Sequence, residues 1–595
     1  MFNPMEILRP QENRTMINQI KKPACRQTGI MRKISLSLVF FFLLLISCKQ
    51  QREKYDTIIR NGSVYNGNGG EPFKADIGIK GDTIAFIGDL SKASAKNEID
   101  AQGNAVAPGF INMLSWATET LIEDGRSQSD IKQGVTLEVM GEGWSMGPLN
   151  ASMKEREQKS QGDIKYKIEW NTLGEYLNFL EKKGVSCNVA SFIGATTVRD
   201  YVIGEDNREP TAAEIDSMKM LVRQAMEEGA LGVGSSLIYP PAFFAKTEEL
   251  IELCKEASRY GGSYISHIRS EGNKFYEAVE ELIRIAKEAN VHGEIYHLKA
   301  AGKDNWGKLD SVIRRVEKAR SEGVDVSANM YTYIAGATGM TAAFPPSLQD
   351  GGFGKLRERL MDVKIRAEMK KAMNTNATDW ENLYYGAGGA ENVLLLSFKQ
   401  DSLKKYTGKS LAEVAKLRGT TPEETAMDLV IQDSTRVGVA YFLMSEDNVK
   451  KQVAIPWVSF GSDEGSYTNE GIFLRSNAHP RAYGTFARVL GKYSRDEKVI
   501  TLQEAIRKLA KFPAKNLKIQ KRGELKNGYY ADVVIFDPAK LKDNASFDKP
   551  HVYAEGMIHV LVNGVQVLKD GEHTGAKPGR FVKGPGWKEQ LKIIN

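Results

Sequence analysis

The chain has 595 residues, too many for one hydrophobic core, so we expect two or three structural units. Its hydrophobic content of 42% and charged content of 26% are ordinary for a soluble globular protein. The formal net charge of +6 belongs mostly to residues 1–47, because the rest of the chain carries 74 Lys/Arg against 73 Asp/Glu. No basic face remains, which excludes nucleic acid as a predicted partner.

A secretory signal is predicted near the N-terminus. Residues 31–33 (MRK) precede an apolar run over residues 36–46, and a small residue follows the run. The run is shorter than the roughly 20 apolar residues that a transmembrane helix needs. It ends in LISC at residues 45–48, which resembles the lipobox of bacterial lipoproteins.

We therefore interpret residues 31–47 as a lipoprotein signal peptide and residues 1–30 as a non-native upstream extension. Cys48 is then expected to carry lipid and to anchor the protein to a membrane of a bacterial cell envelope, facing the periplasm or the exterior. The alternative is an ordinary signal peptide with a chance cysteine. Cys187 and Cys254 are far apart in apolar patterns, so buried packing is their default interpretation.

The two ends of the remaining chain share one texture. Residues 55–106 alternate apolar and polar positions between glycine turns, as in ADIGIKGDTIAFIGD. The same alternation returns near the C-terminus in YADVVIFDP and HVLVNGVQVLKDGEHTG. This pattern predicts one β-sheet domain built from both chain ends, residues 52–107 and 516–584.

The middle of the chain alternates apolar strand-like runs with amphipathic helices. Eight such runs are AVAPGFINM, TLEVMGEG, CNVASFIG, GALGVGSSL, GSYISHI, GEIYHLKA, VDVSANMYTY and AIPWVSFGSDE. Eight strands with helices between them indicate an α/β protein with a (β/α)8 TIM-like barrel, over residues 108–515. Residues 335–453 separate the last two runs and are too long for a loop, which predicts an α-rich inserted subdomain that covers the barrel mouth.

Polar residues at the ends of four runs are candidates for chemistry, because catalytic residues of such barrels lie at the C-terminal ends of strands. They are Glu142, His267, His297 and Asp463. Singly, each histidine has a structural interpretation, and each carboxylate could belong to a turn. Together, two imidazoles and one carboxylate match the three protein ligands of a catalytic zinc site, and a second carboxylate is free to act as a base.

Several stretches in chain order resemble the N-acyl-D-amino-acid deacylases (D-aminoacylases) of the amidohydrolase superfamily. They are APGFIN, GVTLEVMGEG, NVASFIGATTVR, SHIRSEG, YHLKAAG, NMYTYIAGATG, FGSDEG, HPRAYGTFARVL and ADVVIFDP. The resemblance spans about residues 55–584 and implies a barrel, a β-sandwich from both chain ends and an insertion before the last strand.

The resemblance also implies roles for particular residues. It makes His267 and His297 metal ligands and Asp463 catalytic, while Glu142 stands where the family usually has a cysteine. Carboxylate oxygen is an acceptable zinc ligand. The family's substrate-contact positions fall on four residues, namely Lys299, Tyr239, Tyr331 and Arg481. Arginine binds a free carboxylate bidentately, although Arg481 could instead brace a loop through an ion pair.

One departure from the family lies in PGFINMLSWATE, residues 108–119. Members with two metals place two histidines there, and this chain has Leu114 and Trp116 instead. In the family these histidines hold the weaker metal, so we expect one zinc ion per chain, held by Glu142, His267 and His297.

The sequence therefore predicts zinc-dependent hydrolysis of N-acyl-D-amino acids to a D-amino acid and a carboxylate, with Asp463 as general base and acid. One alternative keeps the site but takes D-residue dipeptides or cyclic amides. Another, suggested by the missing histidine pair, is a metal-free ligand-binding lipoprotein that has lost catalysis.

Overall fold

A computed structural model describes residues 54–589 of the chain. The interpreted upstream extension, the signal peptide and the lipidation site Cys48 lie outside these residues. Within them, no helix has the length and apolar character needed to cross a lipid bilayer.

Five strands follow the first described residue. They are β1 (Lys54–Val64), β2 (Phe73–Lys80), β3 (Thr83–Gly88), β4 (Ser94–Asp100) and β5 (Ala105–Pro108). β1 pairs antiparallel with β2 and parallel with β4 and β5. The apolar side chains of these strands are buried together, Ile59, Ile77 and Val106 among them. Alternating apolar residues thus give this layer its buried face.

Parallel strands then follow one another with helices between them. They are β6 (Phe110–Asn112), β7 (Val135–Met140), β8 (Asn188–Ser191), β9 (Ile193–Gly194), β10 (Gly232–Ser236), β11 (Ser263–His267), β12 (Gly293–Ile295) and β13 (Val326–Met330). One sheet joins β6, β7 and β8, and another joins β9 through β13 in order. β8 and β9 both belong to the CNVASFIG run, and only Phe192 separates them. The Leu231 N–H, just before β10, donates to Ser191 O at 3.0 Å and links this run to β10.

The chain next forms a separate antiparallel sheet of three strands. These are β14 (Ala335–Gly339), β15 (Val393–Ser397) and β16 (Gly438–Phe442), in the order β14-β16-β15. Apolar residues of the helices around it, such as Leu356 and Met427, are buried in a cluster of their own. This segment occupies most of residues 335–453.

The last parallel strand, β17 (Val458–Phe460), pairs with β13. The Met113 N–H donates to Phe460 O at 3.2 Å, which joins the end of β6 to β17 and closes the series of parallel strands. Apolar side chains of these parallel strands, including Ile111, Leu137 and Ile265, are buried together in one cluster.

Four strands at the C-terminal end complete the first sheet. They are β18 (Val533–Phe536), β19 (Met557–Val562), β20 (Val565–Lys569) and β21 (Glu572–His573). β18 pairs antiparallel with β5, so one mixed sheet contains strands from both chain ends. The α/β class and the shared sheet predicted from the sequence are confirmed. Beyond β21 the chain returns to the parallel strands, where the Val582 N–H donates to Val189 O at 2.8 Å.

The helices are mostly amphipathic and cover the parallel strands or form the segment before β17. Three of them begin with reciprocal capping boxes, at Thr172, Thr211 and Ser410, and each such cap stabilises a helix start by about 1 kcal/mol. The α-helices are Thr120–Glu123, Gln128–Ile131, Ala151–Ser160, Leu173–Lys183, Ala195–Ile203, Ala212–Glu228, Thr247–Ser258, Phe275–Ala289, Leu309–Ser321, Gly352–Arg359, Val363–Met373, Leu383–Gly386, Leu411–Arg418, Pro422–Asp433, Glu446–Ala454, Arg481–Arg488, Leu502–Leu509 and Lys511–Asn516.

One predicted run is divided in the structure. AVAPGFINM was expected as a single strand, but AVAP is β5 of the mixed sheet and FIN is β6 of the parallel series. Gly109 is the point of division, because a Cβ there would lie 2.1 Å from Thr136 Oγ1. The chain passes so close to β7 that only glycine fits, and it changes sheets there.

Candidate metal centre

Three predicted ligands meet at the C-terminal ends of the parallel strands. His267 is the last residue of β11, Glu142 follows β7 by two residues and His297 follows β12 by two. Oε1 of Glu142 lies 3.1 Å from Nδ1 of His267 and 2.8 Å from Nε2 of His297. All three side chains are buried. Among residues 54–589 they form a group of donor atoms within 4.8 Å of one another, close enough to hold one metal ion.

His297 is held in an uncommon backbone conformation. Its φ is 32°, where few residues other than glycine are found. The side chain of Asn329 on β13 accepts a hydrogen bond from the His297 N–H at 2.9 Å, and its amide donates to Glu294 at 2.9 Å. Neighbouring strands thus fix the strained turn that aims the imidazole at Glu142.

A second carboxylate, Glu271, lies behind both histidines. Its Oε1 is 2.9 Å from Nδ1 of His297 and accepts from Lys299 Nζ at 2.6 Å, and its Oε2 is 3.7 Å from Nε2 of His267. Outer carboxylates of this kind orient metal-binding imidazoles. Sequence reasoning did not single out Glu271, although it belongs to the SHIRSEG stretch four residues after His267.

The charged groups of the centre shift one another's pKa values toward the charged forms. Burial raises the pKa of Glu142, but the imidazoles of His297 and His267 outweigh it and hold that pKa below the ordinary value. Burial and Lys299 lower the pKa of His297, yet Glu271 and Glu142 together raise it to about 9. Lys299 and both histidines hold the pKa of Glu271 below its ordinary value despite burial. The two carboxylates are therefore anionic at neutral pH.

The residues fit a zinc ion. Two imidazoles and one carboxylate are the donor set of many catalytic zinc sites. Glu142 directs one oxygen at both histidines, as a shared ion requires.

Leu114 and Trp116, which stand where the resemblance implies two histidines, have different surroundings. Leu114 is fully buried in the apolar cluster between the parallel strands. Trp116 is 36% exposed, and its indole N–H lies 2.9 Å from Oε2 of Glu142 and 3.2 Å from Oδ1 of Asp463. The tryptophan therefore contacts the predicted ligand and the predicted base at once.

Asp463 lies three residues after β17, within 3.2 Å of the indole, and is also paired with arginine. Its Oδ2 is 2.7 Å from Arg481, and its φ of 54° is stabilised by the Asp463 N–H donating to Leu114 O at 2.8 Å. Burial raises the pKa of Asp463, the Arg481 guanidinium opposes this rise, and the charge of Glu142 adds to it. The net effect is a carboxylate more basic than an exposed aspartate.

The predicted substrate contacts lie around this centre. The Tyr239 ring is 5.3 Å from the His267 ring, and the Arg481 guanidinium lies 4.4 Å from the Tyr331 ring centroid. Lys299 is paired with Glu271 and Arg481 with Asp463, so both cations are engaged. The Tyr331 hydroxyl and Nε of Arg481 are buried and have no hydrogen-bond partner.

The segment before β17 also reaches the centre. Its Glu381 accepts from Ser270 Oγ at 2.7 Å and from the Glu271 N–H at 3.3 Å, and burial raises the pKa of Glu381 to about 7. On the opposite side, Ala337 O of β14 lies 3.4 Å from the Arg481 guanidinium. Residues of this segment thus contact Glu271, beside the predicted metal ligands, and Arg481, beside the predicted base.

Comparison with known proteins places the chain among amide hydrolases. Residues 97–568 match the sequence profile of the amidohydrolase family. The D-aminoacylase of Alcaligenes xylosoxydans xylosoxydans is 31% identical over 532 residues, which cover 89% of this chain and 98% of that protein.

Two solved structures are similar over the same length. A D-aminoacylase structure, studied for its binuclear metal centre with one-metal activation and second-metal attenuation, has a TM-score of 0.73 at 31% identity and covers 89% of this chain and 100% of its own. The N-acyl-D-glutamate deacylase of Bordetella bronchiseptica, in complex with zinc and a phosphonate mimic of the tetrahedral intermediate, has a TM-score of 0.74 at 27% identity with the same coverage.

Proposed function

Because this chain belongs to the amidohydrolase family and is a metal-dependent enzyme of the D-aminoacylase type, we propose that it hydrolyses N-acyl-D-amino acids with one zinc ion per chain. The single observation that carries the proposal is the buried meeting of Glu142, His267 and His297 around one carboxylate oxygen. The closed series of parallel strands that presents them is, in this proposal, a (β/α)8 barrel with an inserted subdomain over residues 335–453.

The zinc ion would be held by the same three residues. When bound, zinc acidifies water and polarises an amide carbonyl. Glu271 and Lys299 keep the His297 imidazole oriented, and the absence of a histidine pair at Leu114 and Trp116 supports the choice of one ion.

Asp463 is the proposed base and acid. Its carboxylate shares the indole N–H of Trp116 with Glu142. Burial raises the pKa of Asp463 toward the range in which a base can both take and return a proton. It takes the proton of the attacking water and gives it to the departing nitrogen, because an amine leaves poorly unless protonated. Arg481 fixes one carboxylate oxygen, which aims the other toward the centre.

The substrate's free carboxylate is proposed to bind Arg481 and Tyr331. Both are buried, and each has a polar atom without a hydrogen-bond partner. An anionic ligand would supply the missing acceptor, which arginine's planar fork suits. Lys299 and Tyr239 line the same centre and are proposed as further contacts with the substrate. The D configuration is proposed from the deacylases to which the chain is similar.

The decisive experiment measures zinc content beside the hydrolysis of paired N-acetyl-D- and N-acetyl-L-amino acids. We expect about one equivalent of zinc and release of amino acid from the D series alone. Equal rates for both series, or turnover of a cyclic amide in preference to them, would contradict the proposed substrate class.

The location is a separate proposal. We propose that the protein is anchored to a membrane of a bacterial cell envelope through lipid on Cys48, on the strength of the LISC stretch. The Cys48→Ser variant is expected to be released in soluble, active form. If that variant stays with the membrane fraction, the lipid assignment is wrong.

A further inference from the structure

Trp116 stands between the two carboxylates that matter most to the proposed reaction. We propose that its indole N–H replaces a second metal ion, holding the Glu142 ligand and the Asp463 base in register and closing the second metal position. Trp116 is then a positioning residue, and the enzyme is fixed in a one-metal state that excess zinc does not attenuate. This inference rests on the proposed function.

The hydrogen-bond geometry divides each carboxylate between two tasks. Glu142 gives Oε1 to the histidines and Oε2 to the indole, 2.9 Å away. Asp463 gives Oδ2 to Arg481 at 2.7 Å, while Oδ1 lies 3.2 Å from the same indole nitrogen. One neutral N–H is therefore shared by two buried carboxylates, and among residues 54–589 no other hydrogen bond to Oε2 of Glu142 or Oδ1 of Asp463 is found.

The backbone holds the indole in this place. The Trp116 N–H donates to Glu464 O at 2.9 Å, and the adjacent Ser115 N–H donates to Val139 O at 2.8 Å. The Ser115 hydroxyl also donates to the buried carboxylate of Glu138 at 2.7 Å. Trp116 is thus tied on one side to the β17 turn that carries Asp463 and on the other to the β7 strand that leads to Glu142.

The chemistry of indole excludes the alternative in which this position holds a metal. The indole nitrogen is a donor only and has no lone pair to offer. Leu114 stands at the other position where the resemblance implies a histidine. Its side chain is buried in the apolar cluster and has no atom that could bind a metal ion. A cation between Glu142 and Asp463 would have to displace the indole, whose N–H already contacts both carboxylates.

The similar D-aminoacylase provides the contrast, because its binuclear centre combines one-metal activation with second-metal attenuation. Attenuation needs a second metal position. Here the indole N–H lies between Glu142 and Asp463 and adds no charge, so we expect no second zinc ion to bind between them.

The first test compares zinc affinity in Trp116→Phe and Trp306→Phe. Phenylalanine keeps an aromatic ring and removes the N–H. Trp306 is the matched control because its indole donates to Leu443 O at 2.8 Å, away from the centre. Zinc is titrated into the metal-free proteins against a chromophoric chelator, and the visible spectrum of the cobalt-loaded proteins is recorded.

We expect Trp116→Phe to bind zinc about 10 to 100 times more weakly than the wild type, as loss of an outer-layer partner usually does, and to shift the cobalt bands. Trp306→Phe should match the wild type in both measurements. If Trp116→Phe binds zinc within twofold of the wild type with an unchanged cobalt spectrum, the indole does not position Glu142 and the proposal fails.

The second test raises zinc above one equivalent on the wild-type enzyme. We expect binding to stop at one equivalent and hydrolysis to stay constant. Binding of a second equivalent, or a loss of rate that follows it, would overturn the closed position. A wild type that binds one zinc but cleaves no N-acyl-amino acid refutes the proposed function, whereas the zinc affinities of the variants still decide the role of Trp116.

Discussion

The centre has two halves that are built in different ways. The metal half contains Glu142, His267 and His297, and Glu271 and Lys299 support it from behind. The proton half contains Trp116, Asp463 and Arg481 at the seam where β17 meets β6. Side chains support the metal half, whereas backbone hydrogen bonds across the seam support the proton half.

This difference indicates what each half can lose. In the metal half every charged side chain has a charged neighbour, so removing one leaves another buried without compensation. In the proton half, Leu114 and Trp116 stand at the two positions where the resemblance implies metal-binding histidines, and backbone hydrogen bonds hold the geometry. Substitutions of the charged side chains should therefore remove metal in the metal half and rate in the proton half, whereas Trp116 contacts Glu142 and links the two halves.

The largest effect is expected from His297→Ala in the metal half. Two remaining ligands rarely retain zinc, so both metal and activity should be lost, which metal analysis and an N-acetyl-D-amino-acid assay would measure. His559→Ala, in β19 of the mixed sheet, is the control and should keep both. Retained zinc with normal turnover in His297→Ala would remove this residue from the metal half.

The next effect is expected from Asp463→Asn in the proton half. Asparagine tolerates the positive φ of this position, so the backbone should be preserved while the base is lost. We expect zinc to remain and kcat to fall by about 10² or more. Near-normal turnover would exclude Asp463 as the base. Loss of zinc with activity would make it a ligand and erase the distinction between the halves.

Glu271→Gln tests the support of the metal half. The amide keeps the shape of the side chain and removes the charge that faces both imidazoles. We expect zinc to bind about 10 to 100 times more weakly, with activity recovered when zinc is added in excess. Glu381→Gln, which loses the carboxylate next to Ser270, is the matched comparison and should have a smaller effect. Unchanged zinc affinity in Glu271→Gln would show that the metal half needs no outer carboxylate.

The smallest effect is expected from Arg481→Lys in the proton half. Lysine keeps the charge but not the planar fork, so kcat/KM for an N-acyl-D-amino acid should fall roughly tenfold. The methyl ester of the same substrate has no free carboxylate, and the ratio of acid to ester rates should therefore shrink in the variant. An unchanged ratio would mean that Arg481 acts on Asp463 alone.

The sequence identified the candidate residues at the strand ends but not the residues that contact them. Glu142, His267, His297 and Asp463 could be selected because catalytic residues in strand–helix repeats collect at the carboxyl ends of the strands. Glu271 could not, because its role depends on a turn that brings it back behind two histidines. Trp116 was interpreted only as a lost ligand, since a sequence does not say which acceptors an indole N–H will meet.

The fold, too, was predictable only in part. Apolar periodicity gave the α/β class and the shared sheet, because burial imposes those patterns on strands and helices. The division of AVAPGFINM at Gly109 was not predictable, because it depends on a contact with Thr136 on a neighbouring strand.

The mixed sheet can be completed only late in the synthesis of the protein. β5 ends at Pro108, and its partner β18 begins at Val533, about 425 residues later. At a ribosomal rate of roughly 5 to 20 residues per second, the edge of β5 waits about 20 to 85 seconds for that partner. During this interval an apolar strand is open to pairing with other chains. A nascent chain of this architecture therefore depends on protection of its first 55 described residues until its last strands emerge.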